Sequence, residues 1–117
     1  GSKEYALIDS NFSINSADNS TVLAMTNGII NVDFTEQTFG LNLGFEDGST
    51  LQALQNDVLD LFNANAIDLA GTGALSAGQL TGQFFGPEAE GIAAIIEAIL
   101  AENDELLRGI GIFTREP

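Results

Sequence analysis

Cysteine, histidine and tryptophan are all missing from these 117 residues, and only Lys3, Arg108 and Arg115 are cationic. Without cysteine there are no disulfides, no thiolate nucleophile and no cysteine-based zinc or iron–sulfur site. Without histidine the chain lacks the commonest general base and the commonest haem and transition-metal ligand. Against the three cations stand 17 carboxylates, a net charge of -14. Such a surface repels phosphate, which argues against nucleic acid and anionic lipid as partners and leaves attraction to a basic partner or to cations, or plain solvation in a salty or extracellular setting. No run of about 18 apolar residues is long enough to cross a bilayer as a helix. A small extracellular domain without disulfides must rely on packing, and with 44% hydrophobic residues one core is within reach. The chain reads as a single domain over 1–117. Gly1-Ser2 has the look of a cloning scar, residues 1–4 are expected to be tag or disordered, and Tyr5 is expected near a frayed end.

The clearest pattern lies at 38–46, where Phe39, Leu41, Leu43 and Phe45 alternate with Thr38, Gly40, Asn42, Gly44 and Glu46. A period of two belongs to a strand with one buried face. Ile30, Val32 and Phe34 repeat it one strand earlier. Asn27-Gly28 is expected to turn the chain between strands 20–26 and 29–35, and Asp47-Gly48 to turn it after Phe45, since both dipeptides accept positive φ. Ala6, Ile8, Ser10, Phe12 and Ile14 mark one face of an opening strand. Phe62, Ala64 and Ala66 mark another, and 79–85 and 109–114 read as late strands. The outward residues of the clear strands are polar, which argues against a lipid-facing barrel. Two segments carry helical spacing instead: Leu51, Leu54, Val58, Leu59 and Phe62, with Ser49 or Thr50 as N-cap, and Ile92, Ile95, Ile96, Ile99 and Leu100. Periodicity alone favours a helix over 88–101.

The run Gly82-Gln83-Phe84-Phe85-Gly86-Pro87-Glu88-Ala89-Glu90 resembles the Gly-x-Phe-x-Gly-Pro-x-Ala-x-Glu signature of transferrin-binding protein B–like bacterial surface proteins. Residues 30–34, 62–67 and 109–113 resemble flanking strands of the same barrels, which also occur beside FecR-type domains. The resemblance implies an all-β, eight-stranded antiparallel soluble barrel, with a short helical turn near 87–90 and a strand, not a helix, at 91–100. Gly82, Phe84, Phe85, Gly86, Pro87 and Ala89 are then structural motif residues. It further implies a secreted, periplasmic or outer-surface location in a Gram-negative bacterium, as part of an iron-acquisition or adhesion protein. Members that capture host iron proteins carry long, often Lys-rich loops, and this chain has neither.

No candidate chemistry accompanies the barrel. The carboxylates are not spaced to fix a catalytic pair, no Gly-x-Ser-x-Gly elbow occurs, and Gly71-Thr72-Gly73 lacks the lysine of a phosphate loop. The acidic stretches Glu46-Asp47 and Glu102-Asn103-Asp104-Glu105 do not match a calcium loop. Glu46, Asp47, Glu102, Asp104 and Glu105 are therefore taken as candidate partner-loop residues. Tyr5 and Met25 alone could ligate haem iron, and core packing accounts better for Met25. The expected function is a non-catalytic binding or scaffold barrel with a protein partner and no cofactor. A purely structural module of a larger protein is the alternative.

Overall fold

In a computed structural model describing residues 1–8 and 11–115, the chain is a closed antiparallel β-barrel with one short helix. Its strands are β1 (Ser2–Leu7), β2 (Ser13–Asn15), β3 (Val22–Asp33), β4 (Thr38–Phe45), β5 (Thr50–Asp57), β6 (Ala66–Thr72), β7 (Leu75–Phe85), β8 (Gly91–Leu100) and β9 (Leu106–Arg115). Helix α1 (Leu59–Phe62) joins β5 to β6. Nine strands make eight staves, because β1 and β2 both lie between β3 and β9 and share one place in the ring. Every other neighbour follows in sequence order, so the barrel is a meander closed by the first and last strands.

Eight staves enclose a space just wide enough for side chains to fill. Tyr5, Ile14, Met25, Ile30, Val32, Leu43, Leu51, Leu80, Ile92, Ile96, Leu107 and Phe113 fill it and are inaccessible to solvent. The alternation of 38–46 holds, with Phe39, Leu41, Leu43 and Phe45 inside. Asp47-Gly48 turns the chain as expected, with Gly48 at φ +87° and its amide donating to the Phe45 carbonyl. Segment 91–100 is a strand. Ile92, Ala94, Ile96 and Ala98 face inward, alternating large and small. Isoleucine and alanine also line its outer face, and this two-sided apolarity is what imitates helical spacing.

Several expectations are corrected. Asn27-Gly28 makes no hairpin. β3 runs through it with a shift in register between Met25 and Asn27, and a Cβ on Gly28 would lie 2.9 Å from the Phe113 ring. That glycine serves close approach rather than a turn. The helix expected from Leu51 onward is mostly β5, a strand in which Leu51 faces the core while Leu54 is 89% exposed. Only Leu59–Phe62 is helical. Phe62 therefore sits on α1, Ala64 takes φ +53° in the turn, and β6 starts at Ala66. Residues 2–4, expected to be disordered, pair with Asp33, Val32 and Asn31 of β3. The expected opening strand is two pieces. Tyr5 of the first and Ile14 of the second point inward, so the break resets the alternation. Ala6 lies on the other face of β1, Ile8 follows that strand and is exposed, and Ser10 falls outside the described residues.

No helical turn forms at 87–90. Gly86-Pro87-Glu88-Ala89 is a β-turn closed by the Ala89 amide on the Gly86 carbonyl at 3.2 Å. Proline occupies the position where its fixed φ suits such a turn. Gly86 at φ +89° and Ala89 at φ +54° then reverse the chain before a second helical bond can form.

Candidate functional site

The motif residues assemble at one pole of the barrel. Phe84 points inward and its ring meets those of Phe62 at 4.8 Å, Phe34 at 5.8 Å and Tyr5 at 5.9 Å, closing that end with an aromatic plug. Gly82 leaves room for Leu61 of α1, whose Cδ2 would stand 3.1 Å from a Cβ there. Phe85 points outward, 44% exposed, and its ring lies over Gly91 on the neighbouring strand, where any Cβ would collide with it. An aromatic ring covering a cross-strand glycine restores the packing that the missing side chain forfeits. The Tyr5 hydroxyl donates to the Ala89 carbonyl at 2.6 Å, and the Arg115 amide to the Glu90 carbonyl at 2.9 Å. The turn thus clasps the first and last strands together. Burial pushes the Tyr5 phenol above its usual pKa of 10.0, although Arg115 pulls the other way. Tyr5→Phe is expected to cost about 1–2 kcal/mol, because it leaves a partly buried carbonyl without its donor. A urea midpoint unchanged from wild type would refute this clasp. With Tyr5 and Met25 both buried in the core, neither offers an iron ligand to the surface.

The candidate partner loops meet at the opposite pole. Strand directions bring the loops 16–21, 46–49, 73–74 and 101–105 to one end, and hydrogen bonds tie them together. The Ala74 amide donates to the buried Ser49 Oγ at 2.9 Å, and the Ala101 amide donates to the Ala74 carbonyl at 2.9 Å. Thr21 Oγ1 donates to Glu105 Oε1 at 3.3 Å. Six carboxylates stand here (Asp18, Glu46, Asp47, Glu102, Asp104 and Glu105), and these loops contain no Lys or Arg. Sequence reasoning missed Asp18. It accepts from the Ser16 and Ser20 hydroxyls and the Ser20 amide, and these bonds hold its pKa at about 2. Asp47 accepts from the Ser49 amide within its own turn. Among the described residues no group of three or more acidic side chains is arranged to hold a metal ion.

A third feature was hidden by the ambiguity of 91–100. The outer wall of β8 and β9 is aliphatic, unlike the outer face of β4, which carries Thr38, Gly40, Asn42 and Gly44. Cross-strand neighbours pair Ala93 with Ile112, Ile95 with Ile110, Glu97 with Arg108 and Ile99 with Leu106. Ile95, Leu106 and Ile110 are 39%, 50% and 57% exposed. The Arg108 Nε approaches Glu97 Oε2 at 3.7 Å in the middle of this wall.

A depression of about 600 Å³ is an open groove outside β3, β4 and β5, lined by Asn31, Asn42, Gln52 and Gln55 among others. Its only carboxylate, Asp33, accepts the amides of Thr35 and Glu36 in the adjoining turn. No helix among the described residues is long and apolar enough to cross a membrane.

No protein-family model matches the chain, and no curated relative does. Solved structures do. A tryptophan-to-alanine mutant of the vaccine antigen transferrin-binding protein B from Haemophilus parasuis aligns over 100% of this chain with TM-score 0.61 and 11% identity. The isotype 1 transferrin-binding protein B from serogroup B Neisseria meningitidis aligns over the same span with TM-score 0.62 and 16% identity. This chain covers 27% and 25% of those two chains. At these identities the likeness is one of fold: the chain shares the barrel of transferrin-binding protein B.

Proposed function

We propose that this chain is a non-catalytic binding barrel of a bacterial surface or periplasmic protein, recruiting a basic protein partner to its acidic pole. The observation that carries the reading is the division between inside and outside. The interior is filled by aliphatic and aromatic side chains, so any ligand must be met on the exterior. There, six carboxylates share one pole on four mutually bonded loops. Held loops present charge without the ordering cost that a floppy acidic tail would incur. The likeness to transferrin-binding protein B, named for a protein ligand, supports a protein partner. The absence of histidine and cysteine, and the solvent-facing spread of the carboxylates, support the non-catalytic part.

The test is capture by the immobilised domain at about 50 mM and about 500 mM salt, where screening lengths differ severalfold. The expected result is a bound protein lost at high salt, and lost equally from a Glu102→Gln, Asp104→Asn, Glu105→Gln variant at low salt. Equal recovery at both salts overturns the electrostatic reading. The alternative, a structural module without a ligand of its own, draws on a different observation. The chain spans about a quarter of each similar structure, and an aliphatic wall such as that of β8–β9 suits a junction between domains.

A further inference from the structure

We infer that the β8–β9 wall is a homotypic docking face, and that its occupant is a second copy of this chain. The aliphatic wall is two strands wide, a stripe along which two barrels can lie side by side. The stripe is also neutral, in a chain of net charge -14. Its only charges are Glu97 and Arg108, one on each strand and directly opposite each other.

That arrangement is self-complementary about one particular axis. A two-fold lying between the strands and parallel to them sets β8 of one copy against β9 of the other. Ala93 then faces the second copy's Ile112, Ile95 its Ile110, and Ile99 its Leu106. Glu97 faces Arg108, and Arg108 faces Glu97. A two-fold across the strands would instead set Glu97 against Glu97. A C2 interface uses the same patch on both copies, so a pattern that matches itself under one axis and repels itself under the other specifies an orientation. At about 3.4 Å per residue the stripe is about 24 Å long. It is narrow enough to place the contact at the small end of specific interfaces, and hence to make it weak.

Two like-charged barrels repel, so added salt strengthens this association, whereas it weakens capture of a basic partner at the acidic pole. The two readings can therefore fail separately: the wall lies on the side of the cylinder, and the partner loops at its end.

The test is sedimentation equilibrium of the whole chain from about 10 μM to about 1 mM, a range chosen to bracket weak association. Wild type is expected to rise toward twice the 12.3 kDa of the chain, more so at higher salt. Glu97→Arg and Arg108→Glu are each expected to weaken self-association tenfold or more. Their equimolar mixture is expected to recover wild-type affinity within about threefold, because the two variants complement each other across the axis. Both positions are solvent-facing, and circular dichroism will confirm that each variant folds. Overall charge alone predicts the opposite for Glu97→Arg, which lowers the net repulsion and should associate more. A wild-type chain that stays monomeric through 1 mM at high salt, or a mixture no tighter than its components, overturns the proposal.

Discussion

Phe113→Ala is expected to remove about 3–5 kcal/mol of stability, the range for deleting a buried phenylalanine. The cost should fall near the top of that range because the hole cannot close. The ring is wholly buried between two glycines: Cβ atoms on Gly28 and Gly111 would stand only 2.9 and 3.1 Å from it. Neither glycine has a side chain to swing into the gap, and both belong to hydrogen-bonded strands that cannot collapse without breaking a ladder. A domain of this size has a total stability of about 5–15 kcal/mol. The melting point should therefore drop by roughly 20 °C. Phe85→Ala is the control, since that ring is half exposed and outside the barrel, and its loss should cost well under half as much. Comparable losses from the two would mean that the interior packs differently from the description above.

Gly109→Ala tests closure itself. β9 pairs with β2 through Gly109 opposite Ile14. A Cβ on Gly109 would collide with the Ser13 carbonyl oxygen and lie 2.9 Å from its carbon and 3.1 Å from the Ile14 Cα. These are backbone atoms that no rotamer change can move. The expected cost is about 2–3 kcal/mol, the upper part of the usual overpacking range. Hydrogen exchange should localise the damage, with the amides of β2 and the facing part of β9 losing protection while β4 and β7 keep theirs. An unchanged melting point would mean that β2 and β9 do not meet in solution.

The legibility of this barrel in its sequence varied with how differently the two faces of each strand are built. At 38–46 one face is Phe and Leu and the other is polar, so period two stands out. At 91–100 both faces are aliphatic, and the spacing of Ile92, Ile95, Ile96 and Ile99 suits a helix as well as a strand. Only the resemblance carried by Phe84–Glu90 indicated a strand there. Asn27-Gly28 misled because glycine serves turns and close approaches alike, and the ring that needs the space, Phe113, comes from the far end of the chain. Ser49 or Thr50 as a cap with leucines behind it imitated a helix start, but Leu54 faces water and cross-strand pairing with β4 prevailed. The acidic loops were readable as residues, but their meeting at one pole with Asp18 follows only from strand direction. The aliphatic wall could not be found before the strand that builds half of it was settled.

The pairing of Tyr5 with Arg115 at the clasped pole has a mechanical consequence. A polypeptide that enters this barrel emerges again beside its point of entry, at the base of a cylinder 40 Å long and about 23 Å across. A longer chain can therefore carry the barrel as a bud on a two-stranded stem. The six carboxylates are then held at the tip, as far from the attachment as the molecule reaches.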